Sequence, residues 1–324
     1  MNKVRHTSKG KLNPQDKHPL NPDFLNALVV ASYGRHFLAH DDTGAVWQVF
    51  GKGKRREVAV GDEIVILPSG DMQAWIENIL PRKNLVYRSD ALKSKLFAAN
   101  LDRVLLMLAI NPPYSPELLG RTLIACNEAS VPLTILFNKI DILGQDEKKL
   151  NAIKQDLNEI TLGEVTIHFL SIKENPKQTE ALLRPLLVGK RTLILGQSGM
   201  GKSTLINLLI PGALAATNEI SIALNAGKHT TTHTQLHFGE NGLELIDSPG
   251  FQAFGLNHLS QNDLLNAFPD LYNAGLKCRF ANCQHKHEPD CAVKIGLEEK
   301  TLSPARYSLY QMLLAELNHA RQNY

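Results

Sequence analysis

The sequence predicts a multidomain α/β protein with three folded units. These are a small N-terminal β-barrel, a mostly parallel sheet with helices on both faces, and a C-terminal helical module organised by cysteines. Three observations carry this reading. Short strand-like runs crowd the first quarter of the chain, and longer apolar runs alternate with helical stretches through the middle. Three of the four cysteines fall within fourteen residues near the end. A chain of 324 residues has room for two or three such units.

Residues 1–22 set Lys3, Arg5, Lys9, Lys11 and Lys17 against Asp16 and contain no apolar run. They read as a disordered basic arm and not as a leader peptide. Residues 23–86 are strand-like, with runs at Leu28–Ala31, Phe37–His40, Val46–Phe50, Glu63–Leu67 and Ala74–Leu80 split by Gly, Asp-Asp and Pro. Five short strands in this space predict a closed barrel of the OB type. The loop Lys52-Gly53-Lys54-Arg55-Arg56 joins two of them. Residues 1–60 hold ten Lys and Arg against five Asp and Glu, a net of +5 in a chain whose total is +3. Such a concentration suits a phosphate-backbone partner, the plainer alternative being a solvated face. Tyr33, Phe37, Trp47 and Phe50 are candidates for stacking on bases, although alternating aromatics more often fill a barrel. Residues 81–101 are charged and mixed and read as a linker between barrel and sheet.

The middle unit, 87–257 with that linker, has apolar runs at Val104–Ile110, Leu133–Phe137, Val165–Leu170, Thr192–Leu195, Gln235–Phe238 and Leu243–Ile246. Helical stretches at Pro116–Ala129, Glu147–Ile160, Thr179–Leu187 and Ser203–Leu209 fall between most of them. Alternation of this kind argues a doubly covered, mostly parallel sheet.

Three motifs sit at the ends of these predicted strands. Gly196-Gln197-Ser198-Gly199-Met200-Gly201-Lys202-Ser203 has the spacing of a phosphate loop. Its glycines let main-chain N–H groups curl round phosphate oxygens at a helix N-terminus, Lys202 reaches the outer phosphates, and Ser203 is a Mg²⁺ ligand. Asn138-Lys139-Ile140-Asp141 follows the strand at 133–137. An aspartate there reads guanine, because its carboxylate accepts from N1 and the 2-amino group, and adenine would leave it unpaired. Asp247-Ser248-Pro249-Gly250 places Asp247 to hold Mg²⁺ through water and the Gly250 N–H to sense the γ-phosphate. Phe251 then stands where many GTPases carry a glutamine that orients water, so unaided hydrolysis should be slow. Between these lies Gly227-Lys228-His229-Thr230-Thr231-Thr232-His233, positioned as a switch I loop. Spacing does not choose among the three threonines, and Thr231 is the candidate carried forward. His229 either assists hydrolysis or is a solvated loop histidine.

The base motif precedes the phosphate loop, whereas ordinary GTPases have the reverse order. The predicted middle unit is therefore a circularly permuted P-loop GTPase domain, which is feasible because domain termini often lie close together.

Residues 258–324 contain Cys278-x4-Cys283-x-His285-x5-Cys291, a Cys₃His set that suits one tetrahedral structural zinc and leaves no open position. His287 competes with His285 at this spacing. Cys126, alone in an apolar helix, reads as core. There is no run of 18 apolar residues, which argues against a membrane-spanning helix. Few cysteines and a zinc set suit a reducing cytoplasm.

Barrel, Asn138 motif, phosphate loop, His229–Thr232, Asp247–Phe251 and the cysteine cluster, in that order, resemble the RsgA (YjeQ/YloQ) family across nearly the whole chain. The resemblance implies GTP hydrolysis stimulated by the 30S ribosomal subunit, binding to 16S rRNA, and a late role in 30S maturation, and the chain is expected to be a cytoplasmic monomer. It maps the GTP site onto Asn138, Lys139, Asp141 and Gly196 through Thr204, and zinc onto Cys278, Cys283, His285 and Cys291. Ser171-Ile172 departs from the Ser-Ala pair usual on the base side. A metabolic P-loop kinase and an RNA-binding scaffold with a degenerate nucleotide site are the alternatives. The first has no use for the Asn138 motif, and intact Lys202, Ser203 and Asp247 speak against the second.

Overall fold

The structure is a computed structural model that describes residues 23–33, 36–51, 57–89, 94–213, 234–248, 254, 256 and 258–322. The arm 1–22 and the basic loop 52–56 lie outside the described residues.

Strands β1 (Leu25–Ser32), β2 (Phe37–Asp41), β3 (Val46–Gly51), β4 (Glu63–Gly70) and β5 (Gln73–Ile79) form the barrel. The ring runs β1-β2-β3-β5-β4 and closes through β1–β4, with β3–β5 its one parallel pair. Alternate residues point inward, as a closed barrel requires. Ala27, Val29, Ile64, Ile66, Ala74 and Ile76 fill it. The aromatic residues divide by role. Phe37 is buried core, and Trp47 donates Nε1 to Asp41 at 2.8 Å. Tyr33, His36, Phe50 and Trp75 instead form a chain of ring contacts at 5.5, 6.1 and 5.8 Å along the wall.

The linker region forms a hairpin, β6 (Leu85–Ser89) with β7 (Ser94–Ala99). The sheet unit follows as β8 (Arg103–Ala109), α1 (Pro116–Glu128), β9 (Leu133–Asn138), α2 (Glu147–Thr161), β10 (Thr166–Phe169), α3 (Pro176–Leu187), β11 (Arg191–Leu195), α4 (Lys202–Leu209), β12 (Gln235–Phe238) and β13 (Glu244–Asp247). The spatial order is β10-β9-β8-β11-β13-β12, parallel except for antiparallel β12. Burial on both faces explains the unbroken apolar runs. In β8, Val104, Leu106 and Leu108 pack into one core, and Leu105, Met107 and Ala109 into the other.

Barrel and sheet are continuous. Ala31 of β1 pairs with Gln235 of β12, joining both into an 11-stranded sheet. The hairpin seals the same junction. Ala99 N donates to Val60 O, and Asn100 Nδ2 and Arg191 Nη1 both donate to Gly61 O, each at 2.9 Å. On its other side the hairpin meets Phe254, whose backbone bridges Arg88 and whose ring lies edge-on to Phe97.

The C-terminal unit has α5 (Gln261–Asn266), α6 (Pro269–Gly275), α7 (Ala292–Glu298) and the long α8 (Pro304–Gln322). Helix α8 lies against α1 so closely that a Cβ at Gly120 would stand 2.8 Å from Leu309 Cδ1. Buried Arg306 clasps the units together. It forms two hydrogen bonds to Asp270, at 2.9 and 2.7 Å, donates to Ile160 O, and lies over the Phe268 ring.

Gly61 has φ +92, and a Cβ there would stand 2.3 Å from Ala99 O. Gly61→Ala is therefore expected to destabilise the chain by about 2 kcal/mol or more, because strain and clash combine. Gly44 also has positive φ but nothing within 4 Å of where a Cβ would stand, so Gly44→Ala should cost about 1 kcal/mol. Urea unfolding of both variants checks this, and equal losses would refute a tightly closed junction.

Candidate nucleotide site and candidate metal centre

The phosphate loop leaves β11 at Gly196 and enters α4 at Lys202. Gly201 has φ +104, and a Cβ there would lie 2.5 Å from Asn138 Nδ2, so the loop and the base motif touch where no side chain fits. Lys202 is buried, and its Nζ donates to Gly196 O at 2.6 Å and Gln197 O at 3.1 Å. Burial lowers its pKa, opposed by the charge of Asp247. Burial pushes Asp247 up to about 6, with Lys202 working the other way. Each group thus feels the other's charge, near the carboxyl ends of adjacent strands β11 and β13. Ser203 and Thr204 are exposed on the first turn of α4. The Ser248 hydroxyl donates to Ile194 O at 2.8 Å, fastening the start of the Asp247 motif to β11.

Asn138 ends β9 and is 4% exposed. Its Nδ2 donates to Met200 O at 2.9 Å, and its Oδ1 accepts from Ile172 N at 3.0 Å. One amide therefore ties the base motif, the phosphate loop and the segment after β10. The Ser171 hydroxyl donates to Asp141 Oδ1. Ser171-Ile172 thus supplies a hydroxyl and a main-chain N–H to the base-side cluster, while the Ile172 side chain is buried in the same core as Leu136 and Leu170. Lys139, in left-handed conformation at φ +63, donates Nζ to Asn111 O at 2.6 Å.

The turn after β8 carries no motif and was not expected to take part. Its Ser115 N donates to Gln197 Oε1 at 3.0 Å. Its place at the carboxyl end of a parallel strand is the signal that could have marked it. His229, Thr230, Thr231, Thr232, Pro249, Gly250 and Phe251 lie outside the described residues.

The donor atoms of Cys278, Cys283, His285 and Cys291 all lie within 4.8 Å of one another. Cys278 Sγ and Cys291 Sγ are 3.9 Å apart, and His285 Nδ1 is 3.6 and 3.5 Å from them. A tetrahedron with Zn–S of about 2.3 Å and Zn–N of about 2.0 Å has edges of roughly 3.8 and 3.5 Å. Donor set and spacing therefore fit a closed metal site. His285 adopts φ +61, which turns its ring inward, and Tyr307 Oη donates to its carbonyl at 2.6 Å. His287 is exposed and outside the cluster. The loop is shaped from beneath by Glu288, whose carboxylate accepts from the main-chain N–H groups of Gln284, Lys286 and His287.

The family model for RsgA GTPase matches residues 79–257. The chain is 47% identical over 297 residues to Small ribosomal subunit biogenesis GTPase RsgA of Paraburkholderia phymatum, covering 91% of this chain and 92% of that relative. The chain belongs to the RsgA GTPase family. The RsgA of Burkholderia pseudomallei is 47% identical over 289 residues, covering 89% of this chain and 91% of its own. Among solved structures, YjeQ from Thermotoga maritima aligns with a TM-score of 0.66 at 27% identity, over 91% of this chain and 98% of that one. YloQ, a circularly permuted GTPase, aligns with a TM-score of 0.62 at 24% identity, over 94% and 98%, and shares the fold. The permuted order of motifs is thus a property of the RsgA architecture, in agreement with the sequence expectation.

The cluster geometry makes a distinction between the two histidines. His285→Ala is expected to lose bound metal and His287→Ala to keep it, measured by metal analysis of protein purified without chelator. Retention of full metal by His285→Ala would overturn the assignment.

Proposed function

We propose that this RsgA-family chain hydrolyses GTP to GDP and phosphate while bound to the 30S subunit, in the small-subunit biogenesis for which its relatives are named. The observation that carries the nucleotide reading is the Asn138 tie, with a base-reading carboxylate on one side and a phosphate-binding lysine on the other.

In this reading Asp141 accepts from guanine N1 and the 2-amino group, with Asn138, Lys139 and Ser171 framing the base. The main chain of Gly196, Gln197, Ser198, Gly199, Met200 and Gly201 and the first turn at Ser203 and Thr204 enclose the phosphates. Lys202 moves from its loop carbonyls to the β- and γ-phosphates. Mg²⁺, when bound, would supply charge neutralisation at the phosphate oxygens. Ser203, Asp247 and Thr231 are the groups proposed to hold it, Asp247 through water. Water attacks the γ-phosphorus, and the bond from that phosphorus to the β,γ-bridging oxygen breaks, leaving GDP. Gly250 donates its N–H to the γ-phosphate. Phe251 cannot orient the water, so the chain waits on its partner, with His229 a candidate helper.

Cys278, Cys283, His285 and Cys291 are proposed to hold one structural Zn²⁺. The basic arm and barrel supply the 16S rRNA contacts, within a division into 1–22, 23–86, 87–257 and 258–324. The chain is proposed to act as a monomer in the cytoplasm. Among the described residues no helix is long and apolar enough to cross a membrane.

Two measurements test this. Asp141→Asn should exchange preference for GTP toward XTP, because an amide donates where the carboxylate accepted, and unchanged GTP affinity would remove Asp141 from the base site. Purified 30S subunits should raise kcat at least tenfold, about 1.4 kcal/mol of barrier. Equal turnover with and without them would refute the ribosome-activated reading.

A further inference from the structure

Three strands of the sheet end in recognised nucleotide motifs, and a fourth, β8, ends in the motif-free turn Asn111-Pro112-Pro113-Tyr114-Ser115. This turn is nevertheless in contact with both halves of the site. Asn111 O accepts from Lys139 Nζ of the base motif at 2.6 Å. Ser115 N donates to Gln197 Oε1 of the phosphate loop at 3.0 Å. A Cβ at Gly199 would stand 3.3 Å from Pro112 Cδ, so the loop is also flanked by the proline ring. The turn is itself anchored on both sides. Behind it lies buried β8, and ahead of it the Ser115 hydroxyl caps α1 by accepting from Leu118 N at 3.1 Å.

We propose that the Asn111–Ser115 turn is a brace that couples base reading to phosphate holding, with Gln197 the positioning residue that fastens the phosphate loop to it. The proposal rests on the nucleotide reading of the site. Gln197 has two separate duties. Its main-chain carbonyl accepts from Lys202 Nζ at 3.1 Å, and its side chain accepts from the turn. The second bond governs where the first is presented, since both belong to one residue in a loop otherwise rich in glycine. Lys139 performs the corresponding task from the base side. Asn138 already joins the two halves from β9, and the turn supplies a second tie from the end of β8, which lies between β9 and β11.

The test uses the full chain and release of a fluorescent GDP. Gln197→Met keeps the reach of the side chain and removes the acceptor, leaving the Ser115 N–H without its partner. GDP release is expected to accelerate roughly fivefold or more, with Tm close to wild type. Ser115→Ala keeps that N–H and removes the helix cap. It should lower Tm while leaving release within about twofold of wild type. In a double-mutant cycle, Lys139→Met and Gln197→Met are expected to be non-multiplicative, because both side chains hold the same turn. Wild-type release rates for Gln197→Met, or single-variant effects that simply multiply, would overturn the brace. Failure of the wild-type chain to bind GDP at all would instead overturn the nucleotide reading beneath it.

Discussion

Asn138 donates to Met200 O and accepts from Ile172 N from a position almost sealed from water, and the geometry of the candidate nucleotide site rests on this one carboxamide. Both ends of the amide are used, so any change at 138 leaves main-chain polar groups unpaired in a low-dielectric interior, where each lost bond is expensive. The surrounding backbone is fitted to it. A Cβ at Gly201 would stand 2.5 Å from Asn138 Nδ2, so the loop has no room for a side chain there. Distances between base and phosphate motifs are therefore imposed by a short, buried, directional contact and not left to loop conformation.

That arrangement explains why a permuted chain can retain the site. Strands β9, β8, β11 and β13 are neighbours in space, and each presents its carboxyl end to the same crevice. The hydrogen bonds that hold them do not record which strand was made first. The permutation changes what is attached at the edges. Strand β12 pairs with barrel strand β1, and the chain beyond Asp247 leads to Phe254, packed on the β6–β7 hairpin that also touches Val60 and Gly61. Barrel and hairpin are thus in direct contact with the side of the sheet that carries Asp247.

The C-terminal unit shows a different balance of forces. Helices α5, α6 and α7 have six or seven residues each, too short to persist without tertiary support. A compact Cys₃His cluster gathers the loops between α6 and α7. Arg306, held by Asp270 within the unit, then fixes it to the sheet domain through Ile160 O. A buried guanidinium is tolerated there because its partners are geometrically matched and it rests on Phe268.

What could be read from the sequence was what is local. The phosphate loop, Asn138–Asp141 and Asp247–Ser248 are short contiguous motifs, and continuous apolar runs such as Val104–Ile110 announce strands buried on both faces. The cysteine spacing announced a metal set but left His285 and His287 open, since both lie within reach on one loop. The structure brings His285, and not the exposed His287, among the three cysteines. The docking of the linker's hairpin on Val60, the single-residue union of β1 with β12, and the turn at 111–115 were not legible. They rest on partners 28 to more than 100 residues apart, as Lys139 to Asn111 and Arg191 to Gly61 illustrate. No local propensity encodes such contacts. They exist only once burial has brought distant main-chain groups together and required each of them to find a partner.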